Sequence, residues 1–368
     1  MGVLHTVQVD LGPRSYPVYV GYGLLGDLGK LFGRHVTGRK VAVVSDENVA
    51  GLYMEEVLAS LAEAGYEPVP VVVPPGESSK SLQVADIIYG RLVEAHLDRG
   101  STVASLGGGM VGDLAGFVAA TFMRGVSFVQ IPTSLLAFVD ASVGGKVAVN
   151  HRLGKNLIGA FHQPRFVAID VSVLATLPGR ELGAGLVEAV KHGVIRDEGL
   201  FGFLEENLEE LASGRASPEL WAELVAWNVR IKADVVCRDE REESGLRMIL
   251  NYGHTLGHAL EAATGYSRFL HGEAVALGMV AAGAIAERKG LLPPEERARQ
   301  DELLSKFSLP GLEGVSDCEV LERMRSDKKV REGRVRFVLA RHIGEVEVRD
   351  VEEDEVKVGL EAVREFLG

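Results

Sequence analysis

The stretch T-V-A-S-L-G-G-G-M-V-G-D, Thr102 to Asp113, decides the fold. Its first part, Thr102 to Leu106, is a short apolar run of the kind buried on both faces in a parallel sheet. Gly107, Gly108 and Gly109 follow at once, and Gly112 and Asp113 open a helical pattern. A strand that passes through glycine into a helix is the repeating joint of an α/β sheet. Glycines let a ligand approach the backbone, and a helix N-terminus offers unpaired N–H groups to a phosphate. The spacing is not G-x-G-x-x-G, so a dinucleotide turn and a plain tight turn both stay open.

Upstream the same alternation repeats. Arg39 to Asp46 (R-K-V-A-V-V-S-D) and Val69 to Val73 read as buried strands, Val49 to Ala64 and Ser81 to Ala95 as helices. Thr6 to Val20, broken near Gly12 and Pro13, reads as a hairpin. Downstream, Phe128 to Ile131 and Phe166 to Asp170 are further strands. Between them lies a polar, glycine-rich stretch carrying Asp140, Lys146, Asn150, Lys155 and Asn156, with the pattern of neither a long helix nor a simple strand. Such an insertion at the end of an α/β sheet is where ligands bind. Val143, Val147, Leu157, Ile158 and Phe161 argue against its full exposure. Leu177 and Pro178 mark a boundary. The expectation is a Rossmann-like α/β domain over 1–178 and a mainly α-helical domain over 179–368.

The second half is helical in pattern almost to Gly290, with Trp221 to Val236, Met248 to Ala263 and Glu273 to Lys289 as helices. Two strands near Val335 and Val346 and a helix from about Glu352 close the chain. Three segments in this half place a His or Glu among small and apolar residues: G-L-V-E-A-V-K-H-G, L-N-Y-G-H-T-L-G-H-A-L-E and F-L-H-G-E-A-V. Glu188, Lys191 and His192 lie at i, i+3 and i+4, as do His254 and His258 at i and i+4, so each set shares a helix face. Glu188, His254 and His271 are the expected ligands of one metal ion, a carboxylate and two imidazoles that leave room for a substrate oxygen.

The 368 residues suit two domains, and 46% hydrophobic content suits a globular fold. A net charge of -13 argues against a general nucleic-acid or anionic-membrane surface. Lys and Arg beside the Gly- and His-bearing segments suit a small anionic substrate. The two cysteines, Cys237 and Cys318, make no disulfide framework, and the cytoplasm is the expected compartment.

Taken together, the motifs resemble those of the 3-dehydroquinate synthase family, which are sugar phosphate cyclases. The resemblance runs from S-D-E-N-V at Ser45 to S-D-K-K at Ser326. It rests on P-P-G-E-S-S-K, G-G-G-M-V-G-D-L-A-G-F, A-T-F-M-R-G, P-T-S-L-L-A, S-V-G-G-K, G-K-N-L-I-G-A-F, E-A-V-K-H-G, D-E-R-E, G-L-R-M-I-L-N-Y-G-H-T-L-G-H-A-L-E and H-G-E-A-V. It implies a tightly bound NAD, one zinc or cobalt ion, and conversion of 3-deoxy-D-arabino-heptulosonate 7-phosphate to 3-dehydroquinate and phosphate. The implied route is alcohol oxidation, β-elimination of phosphate, ketone reduction, ring opening and aldol closure, with no net consumption of NAD. The departing phosphate is thought to take the proton itself, which leaves the protein mainly positioning and electrostatics.

The resemblance also distributes roles. Arg124, Lys155, Asn156, His258 and Lys328 match the phosphate-binding set, with Arg124 expected to serve the neighbouring subunit of a homodimer. Lys232, Arg247 and Asn251 match residues that hold the substrate carboxylate and hydroxyls, Arg247 being suited to a two-pronged contact. Asp140, Lys146, Glu188 and Lys191 match positions around the reacting hydroxyls. Asp46 and Asn48 match positions near the adenosine ribose, Glu77 and Lys80 the following loop, and Gly108, Gly109 and Asp113 the pyrophosphate turn and nicotinamide side. Thr133, Ser134 and Thr176 match further NAD contacts, and Lys146 and Lys155 are expected to face the cofactor as well. Ser134 stands where Thr is common and Ala141 where Ser is common. One extra residue before Arg247 leaves open whether Glu242 or Glu243 takes the acidic role. Lys328 is favoured over Lys329.

Overall fold

The computed structural model describes residues 2–326, 330–331 and 334–368. Lys328 and Lys329, expected to meet phosphate, lie outside the described residues. Contacts divide the chain into two compact units, Met1–Leu177 with Ala216–Arg241, and Pro178–Arg215 with Glu242–Gly368. The expected division into 1–178 and 179–368 is continuous in sequence; this one is not, because one helical segment of the second half packs with the first unit.

The first unit is built on a seven-stranded sheet in the order β1-β2-β9-β6-β5-β3-β4. In chain order its elements are β1 (Gly2–Val9), β2 (Tyr16–Tyr22), α1 (Leu28–His35), β3 (Lys40–Asp46), α2 (Glu47–Glu63), β4 (Glu67–Val73) and α3 (Leu82–Glu94). Then come β5 (Thr102–Gly107), α4 (Gly109–Thr121), β6 (Ser127–Pro132), β7 (Lys146–His151), β8 (Gly154–Phe161) and β9 (Val167–Asp170). Only β1 runs antiparallel to its neighbour in this sheet; the pairs from β2 to β4 are parallel. Side chains of a strand alternate between faces, and the sheet is covered on both. Ala42 and Val44 of β3 join a cluster with Ile88 and Leu92 of α3 and Val111 and Leu114 of α4. Val41 and Val43, which point the other way, are equally buried.

The polar stretch after β6 departs from expectation. Ala137–Ala141 forms a π-helical turn, and β7 and β8 form an antiparallel hairpin with Lys146 opposite Phe161. Val147 and Val149 of β7 are buried against the α4 side, where Gly116 leaves room: a Cβ there would come within 2.3 Å of Val147 Cγ1. Ile158 of β8 packs against the same core, but its apolar neighbours on the strand do not follow it inward. Leu157 is 49% exposed and Phe161 43%.

The second half continues with α5 (Gly179–Arg196), α6 (Glu198–Ala212), α7 (Pro218–Arg238), α8 (His254–Ala263), α9 (His271–Arg288), α10 (Pro294–Ser305) and α11 (Asp317–Ser326). It ends with β10 (Val330–Arg331), β11 (Arg334–His342), β12 (Glu345–Val351) and α12 (Glu353–Phe366), the strands forming a small antiparallel sheet. Helix α7 is the segment that returns to the first unit, where it meets β1 and β2. Ser217 caps it through the Leu220 N–H, and Pro218 occupies its first turn, where a missing N–H costs nothing.

The helix expected from Met248 to Ala263 is interrupted. Leu246–Asn251 is a 3-10 turn, and Gly253 adopts φ 76° before α8 starts at His254. Close packing explains the break. A Cβ on Gly253 would lie 2.6 Å from the Val275 carbonyl oxygen, and one on Gly278 would lie 1.8 Å from that of Gly253. The α8 and α9 backbones therefore meet with no side chain between them. Among the described residues, no helix is long and apolar enough to cross a membrane.

Candidate active site

Three helices of the second unit converge on one point. Glu188 lies in the middle of α5, fully buried. His254 begins α8 and His271 begins α9, so each ring projects from a first helical turn. His254 Nε2 is 3.9 Å and His271 Nε2 3.6 Å from the same Glu188 oxygen, Oε1. The other oxygen, Oε2, forms an ion pair with Lys191, one turn along α5 and also buried. Neither Glu188 oxygen accepts a hydrogen bond of good geometry from any described residue.

The imidazoles are oriented from behind. His254 Nδ1 lies 3.1 Å from the Tyr252 carbonyl oxygen, which can only accept, so Nδ1 carries the proton and Nε2 the lone pair. His271 Nδ1 lies 3.3 Å from Glu261 Oε2. Burial, with the charge of Lys191 nearby, holds His254 well below the usual imidazole pKa, so the ring is neutral. Burial also pulls His271 down, but the Glu261 hydrogen bond and the Glu188 and Glu261 charges outweigh it and raise that ring. A buried carboxylate oxygen with two imidazole Nε2 atoms 3.6 and 3.9 Å away makes a set that a divalent cation fits. His258, exposed on the next turn of α8, brings a ring nitrogen within 4.8 Å of those of His254 and His271. It is a neighbour of the cluster, and the buried Glu188 oxygen is the stronger reason for a cation there.

Arg247 is buried in the 3-10 turn before α8, with Nε 3.8 Å from Glu242 Oε1. Of the two acidic candidates, Glu242 is thus the one beside Arg247. Asn251 ends the same turn and is half-buried.

The first unit gathers a second set. Helix α4 starts at Gly109 with Gly108 as its N-cap, and no described side chain caps it. Its first N–H groups are therefore available to a ligand, as a pyrophosphate turn requires. Ser134 stands beside this turn, its Oγ 3.4 Å from where a Gly108 Cβ would lie, and Thr133 N–H bonds to the Gly107 carbonyl at 3.0 Å. Lys80, buried, pairs with Asp113 of α4 at 2.5 Å and donates to Asn156 Oδ1 at 2.5 Å. Burial raises the Asp113 carboxyl above its usual pKa despite the Lys80 charge. Asn150 ties the hairpin to the loop after β4, donating to Glu77 Oε1 at 2.7 Å. Asp140, on the π-helical turn, pairs with Lys232 of α7 at 2.5 Å. Single π turns inside helices are frequent at functional sites.

Some expected residues have other partners or none of the expected company. Asp46 Oδ1 caps α2, accepting from the Asn48 and Val49 N–H groups at 2.9 and 3.2 Å, which leaves Oδ2 for a ligand. Thr176 is exposed and bonds to Tyr53 at 2.5 Å. Lys146 opens β7 exposed, and Lys155 is half-buried on β8. Arg124 is exposed in a tight turn where Met123, Arg124 and Gly125 all have positive φ. Sequence reasoning missed Glu261. The signal was a carboxylate at the end of L-G-H-A-L-E, three residues beyond His258 on a helix that is otherwise small and apolar.

Comparison with known proteins places this geometry in a family. Residues 70–184 match the 3-dehydroquinate synthase N-terminal model and residues 185–330 the 3-dehydroquinate synthase C-terminal model. The 3-dehydroquinate synthase of Symbiobacterium thermophilum is 49% identical over 361 residues, 97% of this chain and 100% of its own length. A crystal structure of 2-deoxy-scyllo-inosose synthase complexed with carbaglucose-6-phosphate, NAD+ and Co2+ superposes with a TM-score of 0.88. It is 26% identical and covers 98% of this chain and 100% of that one. ValA, a 2-epi-5-epi-valiolone synthase from Streptomyces hygroscopicus subsp. jinggangensis with NAD+ and Zn2+ bound, gives a TM-score of 0.86 at 29% identity, over 97% of this chain and 98% of its own. With family models over most of its length and a relative nearly half identical end to end, the chain belongs to the 3-dehydroquinate synthase family.

Proposed function

We propose that the chain converts 3-deoxy-D-arabino-heptulosonate 7-phosphate to 3-dehydroquinate and phosphate, with NAD and one zinc or cobalt ion as resident cofactors. The observation that carries this is the meeting of Glu188 Oε1 with the Nε2 atoms of His254 and His271 in a chain of this family. When bound, the ion would supply Lewis acidity to a sugar hydroxyl, and NAD would take up and return a hydride.

Glu188, His254 and His271 hold the ion. Lys191 keeps Glu188 Oε2 occupied, so that Oε1 is the oxygen left to ligate. Arg247, buried, binds the substrate carboxylate through two parallel N–H bonds, with Asn251 on the same turn. His258, Lys155, Asn156, Lys328 and Arg124 bind the phosphate until it leaves. Lys232 and Lys146 orient the substrate hydroxyls, and Asp140 fixes the Lys232 ammonium. The glycine turn at Gly108 and Gly109, with Ser134 and Thr133, receives the pyrophosphate. Asp46, Asn48, Glu77, Lys80, Asp113 and Thr176 position the rest of the dinucleotide. The enzyme works as a homodimer in the cytoplasm, each Arg124 serving the other subunit.

Phosphate release from the heptulosonate phosphate, followed together with NADH absorbance, tests the proposal. Release that requires metal and NAD, with no net change in NADH, is expected. Stoichiometric NADH formation would instead mark a polyol dehydrogenase. Turnover of a carboxylate-free heptulose phosphate in preference to the heptulosonate would mark a different cyclase.

A further inference from the structure

We infer that Glu261 is a positioning residue for the metal centre, setting the tautomer and orientation of His271 so that its Nε2 faces Glu188. This rests on the reading of Glu188, His254 and His271 as the ligands.

The two imidazoles are held by different devices. His254 Nδ1 donates to a backbone carbonyl, Tyr252 O, at 3.1 Å. That bond is built into the break at Gly253 and needs no side chain. His271 begins α9, and its Nδ1 meets a side chain instead, Glu261 Oε2 at 3.3 Å. Glu261 sits on α8, 5% exposed. A carboxylate there costs desolvation unless a fixed donor faces it. With Nδ1–H directed at Glu261, the lone pair of His271 Nε2 points toward Glu188 Oε1, 3.6 Å away.

The alternative tautomer would leave Nδ1 and Glu261 as two acceptors facing each other, and would put a proton where the ion belongs. Glu261 therefore excludes the wrong tautomer as well as favouring the right one. The carboxylate is carried by the same helix as His254, so α8 supplies one ligand directly and orients another.

The experiment measures zinc and cobalt affinity of the full chain by competition with a chelating indicator, together with the visible absorption of the cobalt form. Glu261→Ala should weaken both metals by about 10- to 100-fold and alter the cobalt bands. Glu261→Gln, which keeps an accepting oxygen, should recover most of the affinity. His271→Ala should lose more than either variant. Thermal melts of the metal-free forms separate misfolding from a local effect. Wild-type affinity and an unaltered cobalt spectrum in a folded Glu261→Ala would overturn the role of Glu261 while leaving the ligand set intact. Equal losses in Glu261→Ala and Glu261→Gln would overturn it too, since a retained acceptor would then not matter. Wild-type affinity in His271→Ala would overturn the ligand reading itself.

Discussion

Glu188 concentrates the physical chemistry of the second unit in one side chain. Its carboxylate is fully buried, with Oε2 against Lys191 and Oε1 facing the Nε2 atoms of His254 and His271. In the absence of an ion, Lys191 is the main compensation for that charge. Removing one member of a buried pair costs about 3–5 kcal/mol, because the other charge stays behind. Lys191→Met should therefore destabilise the chelated protein by about that much in urea unfolding, and the metal-loaded protein by clearly less, since the ion takes over part of the compensation. An equal loss in both forms would mean that no cation sits at Glu188. The residue types at this centre were legible in the sequence, because a Glu or His inside a small, apolar helical pattern is conspicuous. The role of Glu261 was not legible, since α8 and α9 had to be packed before its carboxylate could be seen to face His271.

At the scale of elements, the centre depends on helix ends held at backbone contact. His271 lies next to Gly272, where a Cβ would be 2.1 Å from the Ala184 carbonyl oxygen of α5. Gly272→Ala must push the start of α9 away from α5, the helix that carries Glu188. It should cost about 1–3 kcal/mol, and metal affinity should fall with it. A variant with wild-type urea stability and metal affinity would show that the contact is not needed.

In the first unit, Asp46 combines a cap with the proposed ribose contact. Asp46→Ala should lose about 1 kcal/mol of stability, while Asp46→Asn, an equally good cap, should lose almost none. Both should weaken NAD binding in titrations, and unchanged NAD affinity in both would leave Asp46 a cap only. Strands β3, β4 and β5 were legible because parallel strands covered on both faces read as unbroken apolar runs. The β7–β8 hairpin was not, because its outward strand carries Leu157 and Phe161 in the open and the pattern of alternation is lost. The break at Gly253 was hidden for a related reason: the helical period continues across it, and only the close approach of α9 requires the left-handed residue.

For the whole molecule, sequence order and spatial grouping differ at α7. Its own period and its cap at Ser217 announce a helix, but nothing local to it announces that its apolar face belongs against β1 and β2. That pairing is a tertiary fact and moves Lys232 into the company of Asp140. The ion is expected to stabilise the second unit by mass action. At a free metal concentration a hundred times the dissociation constant it should add about 2.7 kcal/mol, so chelation should lower the melting temperature and readdition of zinc restore it. A melting temperature indifferent to chelator would contradict this.

The ligand set itself can be seen directly by an anomalous-difference map at the zinc absorption edge, from crystals of the full chain grown with zinc and NAD. One peak should lie about 2.0–2.2 Å from Glu188 Oε1, His254 Nε2 and His271 Nε2. A map with no peak there, or with zinc bound elsewhere while those three side chains turn away from one another, would contradict the metal centre and with it the chemistry assigned to this chain.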